Sequence, residues 1–456
     1  MGVFSALTTA VSGMQAQSYA LENISGNIAN SRTAGFKRVD TSFADLVPDS
    51  ALNRQLSGSV AAYSQATNTI QGDLSATRID TNVAINGDGF FVVDQRQSGV
   101  GSNTQFANNS LYTRRGDFDF DTNGYLVNGA GYYLKGQQID RKTGQVIGTQ
   151  PEVLRITKEQ FPAKATSTIE YRANIPAVPA TTRKTGGGDD LLETTLAGSA
   201  TITGADINPF LQTTIPGGSV TVYDALGNAT SVELRWGKVD AGDGTTTSGT
   251  WSLFVAKDTS ATGTDVAYTR VADTVTFDMT GKISNPADGE ITLGDFSVGP
   301  AANNPPTLTG LKMSTGGNGL TQNGDASGQI DARSIRQDGY TAGTLDRVSV
   351  SSEGQVIGTF SNGEVVALAQ ISVARFNSGN SLKRLDGGAF EETIESGPPI
   401  VGLGTSALIG GNVEQSNTDI ADEFSKMIVT QQAYSANTKV ISTAQEMLNS
   451  VFNIIR

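Results

Sequence analysis

The run NISGNIANSRTAGFKR, Asn23 to Arg38, breaks a regular apolar pattern with asparagine, serine and glycine. Upstream, positions 4, 7, 11, 14, 18, 21, 25 and 28 read Phe, Leu, Val, Met, Ser, Leu, Ser and Ile. Their alternating spacing of threes and fours is a heptad seam, so it predicts a helix over residues 1–30. Asn30, Ser31 and Gly35 then favour turns and tolerate positive φ, which ends a helix. The run is therefore read as a hinge: it stops a packed helix and releases the chain into a differently oriented layer.

The other end of the chain mirrors this pattern. Ile420, Phe424, Met427, Gln431, Tyr434, Thr438, Ile441, Gln445, Leu448, Phe452 and Ile455 repeat the same spacing, with no proline or glycine between Ile420 and Arg456. Asn417, Thr418 or Asp419 supplies a cap, because a side-chain oxygen there accepts the free N–H groups of a first turn. The N-terminal helix carries one charged residue, Glu22, before Arg32, and its other faces hold Ser, Thr, Gln, Asn, Ala and Gly. A face of small neutral residues suits close packing on several sides. Two seams at opposite ends can pair with each other while the chain between them loops out. Val3, Ile24, Ile428, Val440, Met447, Val451 and Ile454 fall off the strict seam, and the expectation is that other copies of the chain cover them. The expected assembly interface is thus Phe4, Leu7, Val11, Met14, Leu21 and Ile28 on the first helix. On the last it is Ile420, Phe424, Met427, Tyr434, Ile441, Leu448, Phe452 and Ile455.

Composition narrows the function classes. The chain has 456 residues, a net charge of −13 and neither cysteine nor histidine. Disulfides, thiolate metal sites and imidazole acid–base chemistry are excluded. No Lys/Arg cluster exceeds two residues, so the electrostatic footprint for a nucleic-acid backbone is missing. The opening residues MGVFSALTTAVSGMQAQ lack a basic start and a small-residue cleavage site, and no run approaches the roughly 18 apolar residues of a membrane span. Export without a cleavable signal and no membrane insertion are the expectations.

The hinge also carries a resemblance. SGNIANSRTAGFKR resembles the Asn-Asn-Ile-Ala-Asn-x-x-Thr-x-Gly-[Phe/Tyr]-Lys signature of the bacterial flagellar rod and hook axial proteins, matched here at Asn27, Ile28, Ala29, Asn30, Thr33, Gly35, Phe36 and Lys37. Gly26 stands where the family's first Asn is usual. Residues 410–454 are similar to the family's closing helix. Val413, Glu414, Ser416 and Asn417 match its lead-in, with Thr418 replacing the usual Val, and Met427, Ile428, Gln431, Tyr434, Asn437, Lys439 and Ile441 match the rest. In the middle, Ser219–Lys238 and Arg336–Glu364 are similar to stretches of the hook members.

The resemblance implies a mainly β fold with long paired terminal helices and β domains built by nested insertion. It also implies a structural subunit of a bendable tube that transmits torque from rod to filament. Its partners would be further copies of itself, the rod, the hook cap, the hook–filament junction proteins and the type III export apparatus. No catalytic, cofactor-binding or metal-binding residue is expected. A short element with Phe43 and Val47 is read by the export gate in such proteins; equally, these two residues anchor the linker on the next subunit. The alternatives are a rod or junction component and, in another class, a secreted β-rich binding protein or hydrolase.

The middle is read as β-rich throughout. The expected order is an extended linker at 31–75, a middle β domain from 76–171 and 334–417, and an inserted outer β domain at 172–333, in one part or two. Asn82–Asp94, with apolar residues flanking Gly87-Asp88-Gly89, has the pattern of a hairpin. Leu111–Gly136 predicts another around Asp121–Gly124. The pentapeptide GQVIG at 144–148 recurs at 354–358, which suits a domain with strands from both halves of the chain. Val232, Leu234 and Trp236 alternate with Glu233 and Arg235, the mark of a strand with one buried face. Asp119, Asp121, Asn123 and Gly124 have the spacing of a calcium loop, but its twelfth position is Ala130 where a bidentate Glu is required.

Overall fold

The computed structural model describes residues 3–46, 59–98, 105–140, 143–183, 191–298, 307–316 and 319–454. Its described α-helices are α1 (Val3–Ala29), α2 (Thr194–Ala197), α3 (Ile207–Thr213) and α4 (Ile420–Ile454). All other regular structure is strand or short 3-10 turn, so the fold is mainly β with a long helix near each end, as the heptad spacing and the turn-rich middle require. The chain forms two compact units. One comprises residues 1–159, 345–360 and 364–456, and the other residues 160–344 with 361–363.

In the first unit α1 runs to the hinge and is followed by an antiparallel ladder of β1 (Val39–Leu46) and β2 (Ser59–Ala66). That ladder lies in the segment read as a linker. Tyr19 and Ser64 share a 2.6 Å hydrogen bond and Asn23 donates to Thr41 Oγ1 at 2.9 Å, so the ladder is tied to α1. Beyond it, an antiparallel sheet interleaves the two halves of the chain. The strands Leu345–Val350, Gln355–Phe360, Val365–Ile371, Tyr132–Ile139, Phe90–Ser98 and Leu111–Thr113 follow one another across it. Both GQVIG segments feed this sheet, through strands Val146–Val153 and Gln355–Phe360. Phe118–Phe120 and Leu126–Asn128 form the expected hairpin. Its turn is held by Asp121, whose Oδ1 accepts the amides of Asn123 and Tyr125 at 2.8 Å each.

The hairpin expected at Asn82–Asp94 does not form. Val83–Asn86 pairs with Ala407–Gly410, while Phe90–Ser98 pairs elsewhere in the large sheet. Gly87 and Gly89 adopt φ of 112° and 130°, a region closed to most L-residues. They redirect the chain from one sheet to another instead of folding it back on itself.

The second unit packs two sheets face to face. One contains Glu290–Ser297, Thr307–Ser314, Thr168–Pro176, Leu320–Asn323 and Asp331–Gln337; the other centres on Ile215–Tyr223, Ala229–Asp240, Thr247–Ala256 and Val266–Asp278. Thr168–Pro176 and Asp331–Gln337, which straddle the boundaries drawn from composition, pair antiparallel with each other inside this unit. Val232, Leu234 and Trp236 are fully buried and Glu233 and Arg235 are not, so the period-two pattern sets the inner face. They join Ile169, Tyr171, Trp251 and Phe277 in one apolar core. Inside it the Trp236 indole N–H donates to the Tyr171 hydroxyl at 3.3 Å, and that hydroxyl donates to Gly217 O at 2.8 Å. A second cluster seats Phe210 of α3 against Phe254 and Tyr268.

Candidate assembly interface and the lock at its base

α4 starts where the sequence places it because Asp419 caps it: its Oδ1 accepts the amides of Ala421 at 2.8 Å and Asp422 at 3.3 Å. From there it packs along α1, but through a different stripe from the expected seam. The α4 side chains that become covered are Glu423, Met427, Thr430, Ala433, Tyr434, Asn437, Ile441, Ala444 and Leu448. Met427, Tyr434, Ile441 and Leu448 thus serve in the pair, whereas Ile420 and Phe424 are exposed, Phe424 by 50%.

α1 behaves likewise. Its buried residues are Ala10, Ala16, Ala20, Ile24 and Asn27. Leu7, Met14, Leu21 and Ile28 lie half-covered at the edges, while Phe4 (72% exposed) and Val11 face outward. Gly13 lies directly against Asn437, where even a Cβ would stand 3.0 Å from the amide nitrogen. Small residues thus bring the two backbones close, and the largest apolar side chains are left over. Ile24, placed off the seam and expected to need a second molecule, is covered within the chain. Ile428, Val440 and Met447 remain exposed. Phe452 lies within α4, and Ile455 and Val47 fall outside the described residues. Phe43 projects from β1, half-exposed.

Below the helix pair, most of the signature residues converge on one buried polar knot. Asn27 uses its whole amide: Nδ2 donates to Val39 O and to Glu423 Oε2, and Oδ1 accepts from Val39 N, each at 2.9 Å. It therefore binds the last turn of α1 to the first strand after the hinge and to α4. Asn30 Nδ2 caps Gly26 O at 3.0 Å, and Thr33 Oγ1 donates to Asn30 Oδ1 at 3.2 Å. Ile28 and Ala29 complete the last turn. Gly35 has φ 67° and an amide bonded to Glu414 O at 2.8 Å; a Cβ there would stand 2.6 Å from Arg115 N. Only glycine meets both demands. Phe36 lies beneath the Arg384 guanidinium, 4.8 Å from ring centre to carbon.

Lys37 is the buried centre of the knot. Its ammonium contacts Glu414 Oε1 and donates to Ile70 O at 2.6 Å. Glu414 Oε1 also accepts Gly72 N at 2.9 Å, and its Oε2 accepts Arg114 Nη1 at 3.2 Å. Burial holds the Lys37 amine below its usual value, with Glu414 opposing the shift and the Arg114 charge adding to it. Asn417 completes the knot: its Oδ1 accepts Arg38 N at 2.7 Å and its Nδ2 donates to Thr67 and Ile70. Ser416 Oγ accepts the Thr418 amide at 3.2 Å. Gln431, by contrast, sits exposed on α4, away from the knot. Arg114 and Glu423 carry no local sequence signal, since each earns its place through a partner hundreds of positions away. Glu414 is visible beforehand only as a match in the lead-in.

At the mouth of the knot Lys426 donates to Glu423 Oε1 at 2.8 Å and to Asp40 Oδ1 at 3.2 Å. Burial pulls this ammonium down, but the two carboxylates outweigh it and hold it above the usual 10.5. Most polar groups of the knot are bonded to one another, although Arg38 Nε, Arg114 Nε and Thr418 Oγ1 are buried without a hydrogen-bond partner; among the described residues no group of acids gathers to hold a metal.

Four family models match in chain order. They are the flagella basal body rod protein at residues 7–37, the flagellar hook protein FlgE/F/G D1 domain at 84–169, the flagellar basal body protein FlaE D2 domain at 199–340, and the flagellar basal body rod FlgEFG protein C-terminal at 409–454. The chain belongs to the FlgE/F/G family of flagellar hook and rod proteins. Among curated relatives it is similar to the flagellar hook protein FlgE of Brucella suis, at 28% identity over all of both chains. It is similar to that of Salmonella typhimurium at 27% over 98% of both, and to that of Treponema pallidum at 29% over 99% of both. Among solved structures, the crystal structure of Helicobacter pylori flagellar hook protein FlgE2 aligns with a TM-score of 0.48 and 15% identity, covering 73% of this chain and 98% of that one.

Proposed function

We infer that the protein is a structural subunit of the bacterial flagellar hook. The observation that carries this reading is the surplus of large apolar side chains on the α1–α4 pair: Phe4, Val11, Phe424, Ile428, Val440 and Met447 stay exposed after the helices have packed. Burial of such side chains is worth roughly 1.5–3 kcal/mol each, and a second copy offers the same kind of surface. Relatives that match the chain from end to end are named hook proteins, and the match includes a D2 domain model in the middle as well as the two end models. The polymer is a tube whose copies meet through the terminal helices. The buried Lys37–Glu414–Arg114 knot holds each helix pair to its own β unit so that torque reaches the next copy. Rod, cap and junction proteins are its neighbours at the two ends, and export proceeds through the type III apparatus. Phe43, exposed on β1, remains a candidate for recognition by the export gate.

Electron microscopy of the purified full chain tests the reading. Long tubular polymers are expected from the unaltered protein, and Phe4→Asp with Val11→Asp should abolish them without unfolding the monomer. Tubes formed equally well by that variant would exclude the helix pair as the interface.

A further inference from the structure

α4 has two separate apolar stripes left over, and their placement is directional. Ile420, Phe424 and Ile428 form one near its start; Val429, Val440 and Met447 form the other, mostly near its end. At 3.6 residues per turn the stripes lie roughly 140° apart, one on each side of the face that packs on α1. The second stripe opens into a groove of about 450 Å³ lined by Ala6, Ala436, Val440, Thr443, Ala444 and Met447, with the stem of Lys439 along one side. That groove continues the α1–α4 seam itself, since Ala6 belongs to α1 and Ala444 is buried in the pair. The first stripe is convex, with Phe424 as its largest side chain.

We propose that the Ile420–Phe424–Ile428 stripe of one copy packs into the Ala436–Val440–Met447 groove of the next, a head-to-tail contact between α4 helices of neighbouring subunits. The proposal rests on the self-assembly reading above and adds which surfaces meet. A second copy is the occupant because a single straight helix cannot bring its own stripe to its own groove. The stripe side chains Ile420, Phe424 and Ile428 are apolar, and Lys439 is the one charged residue lining the groove, with a stem long enough to keep its ammonium in water, so a like helix seats here with little charge desolvated. The two patches differ, so the contact does not close on itself and propagates from copy to copy. Phe424 and Val440 are about 16 residues apart, so each copy is displaced from the last by roughly 24 Å along the helix axis. Between the stripes Ser425, Gln432, Ser435 and Lys439 leave a polar strip for solvent.

The chain has no cysteine, so introduced thiols report this contact alone, and a disulfide requires Cα atoms within about 7 Å. Polymer of the double variant Phe424→Cys with Val440→Cys, oxidised and then denatured, should run as a ladder of dimers, trimers and longer species. A mixture of the two single variants should stop at dimers, and each single variant alone should stay monomeric. Ile420→Cys with Ala436→Cys has the same offset and gives the same ladder should the first pair hinder assembly. Polymer without a ladder from either pair, or efficient dimers from Phe424→Cys alone, would overturn the proposal and leave self-assembly standing. Failure of the unaltered chain to polymerise would overturn both.

Discussion

The helix pair and the two-sheet sandwich follow opposite rules for their largest side chains. In the sandwich Trp236, Trp251, Phe254 and Phe277 are fully buried, and the most exposed large apolar residues, Leu226 and Met279, lie in turns outside the core. In the helices the small residues are inside, and Phe4, Phe424 and Val429 are outside. A body that hides its large apolar groups is complete as one copy. A body that hides its alanines and displays its phenylalanines is complete only in company. Both carry enough apolar residues to pack; what separates them is which residues the chain spends on itself.

The sharpest way to break this contrast is to delete residues 418–456. Assembly should be lost entirely while the sandwich stays folded. Both tryptophans of the chain are in the sandwich core, so an unchanged tryptophan fluorescence melt alongside absent polymer is the expected pair of results.

Next in size are two substitutions with opposite reach. Glu414→Gln leaves Lys37 and Arg114 buried without their carboxylate, a loss of about 3–5 kcal/mol, which should appear in helical circular dichroism and hydrogen exchange of the first unit but not in tryptophan fluorescence. Trp236→Ala opens a cavity in the sandwich and costs about 3–5 kcal/mol there. Polymer should still form from this variant below the new midpoint.

Gly13→Leu addresses the close approach of the helices. With Asn437 already at 3.0 Å from a Cβ, overpacking should cost about 1–3 kcal/mol and slow assembly, read by sedimentation. A Gly13→Leu chain that assembles at the original rate would show that α1 and α4 are not closely packed.

The smallest effects are in pH. Lys426 is raised above 10.5 by Glu423 and Asp40, so its contribution is present below that value and is lost as pH rises through its folded pKa. Lys426→Met should flatten the alkaline fall in helix-pair stability above about pH 10.5. In the sandwich the sign is opposite. Burial pushes the Asp338 carboxyl up, but hydrogen bonds from Thr168, Ser167 and Lys164 outweigh it and hold it well below 3.8. Its contribution is present above 3.8 and disappears as pH falls further, so Asp338→Asn should shrink the loss of tryptophan signal in acid.

Local patterns were the legible part. Heptad spacing located both helices, Asp419 was among the named caps, and alternation at Val232–Trp236 assigned the buried face of a strand. The phase of the helix pair was not legible, because periodicity rewards large apolar residues and α1 packs through Ala10, Gly13, Ala16 and Ala20. Nor was the fate of the Gly87-Asp88-Gly89 turn, whose first arm pairs with Ala407–Gly410. The signature residues Asn27, Lys37 and Asn417 could be singled out, but their respective partners, Glu423, Glu414 and the Arg38 amide, meet them only after the chain has folded across more than three hundred positions.

The sandwich also has a doorway. Its first long strand, Thr168–Pro176, and its last, Asp331–Gln337, lie side by side, with Ile169 opposite Gln337, and Phe161 bridges to Gly343 just outside them. The chain thus departs within a strand's width of where it came in. A module mounted in this way can be exchanged, enlarged or trimmed through evolution or by the bench scientist, with the rest of the polypeptide registering little more than a change of cargo.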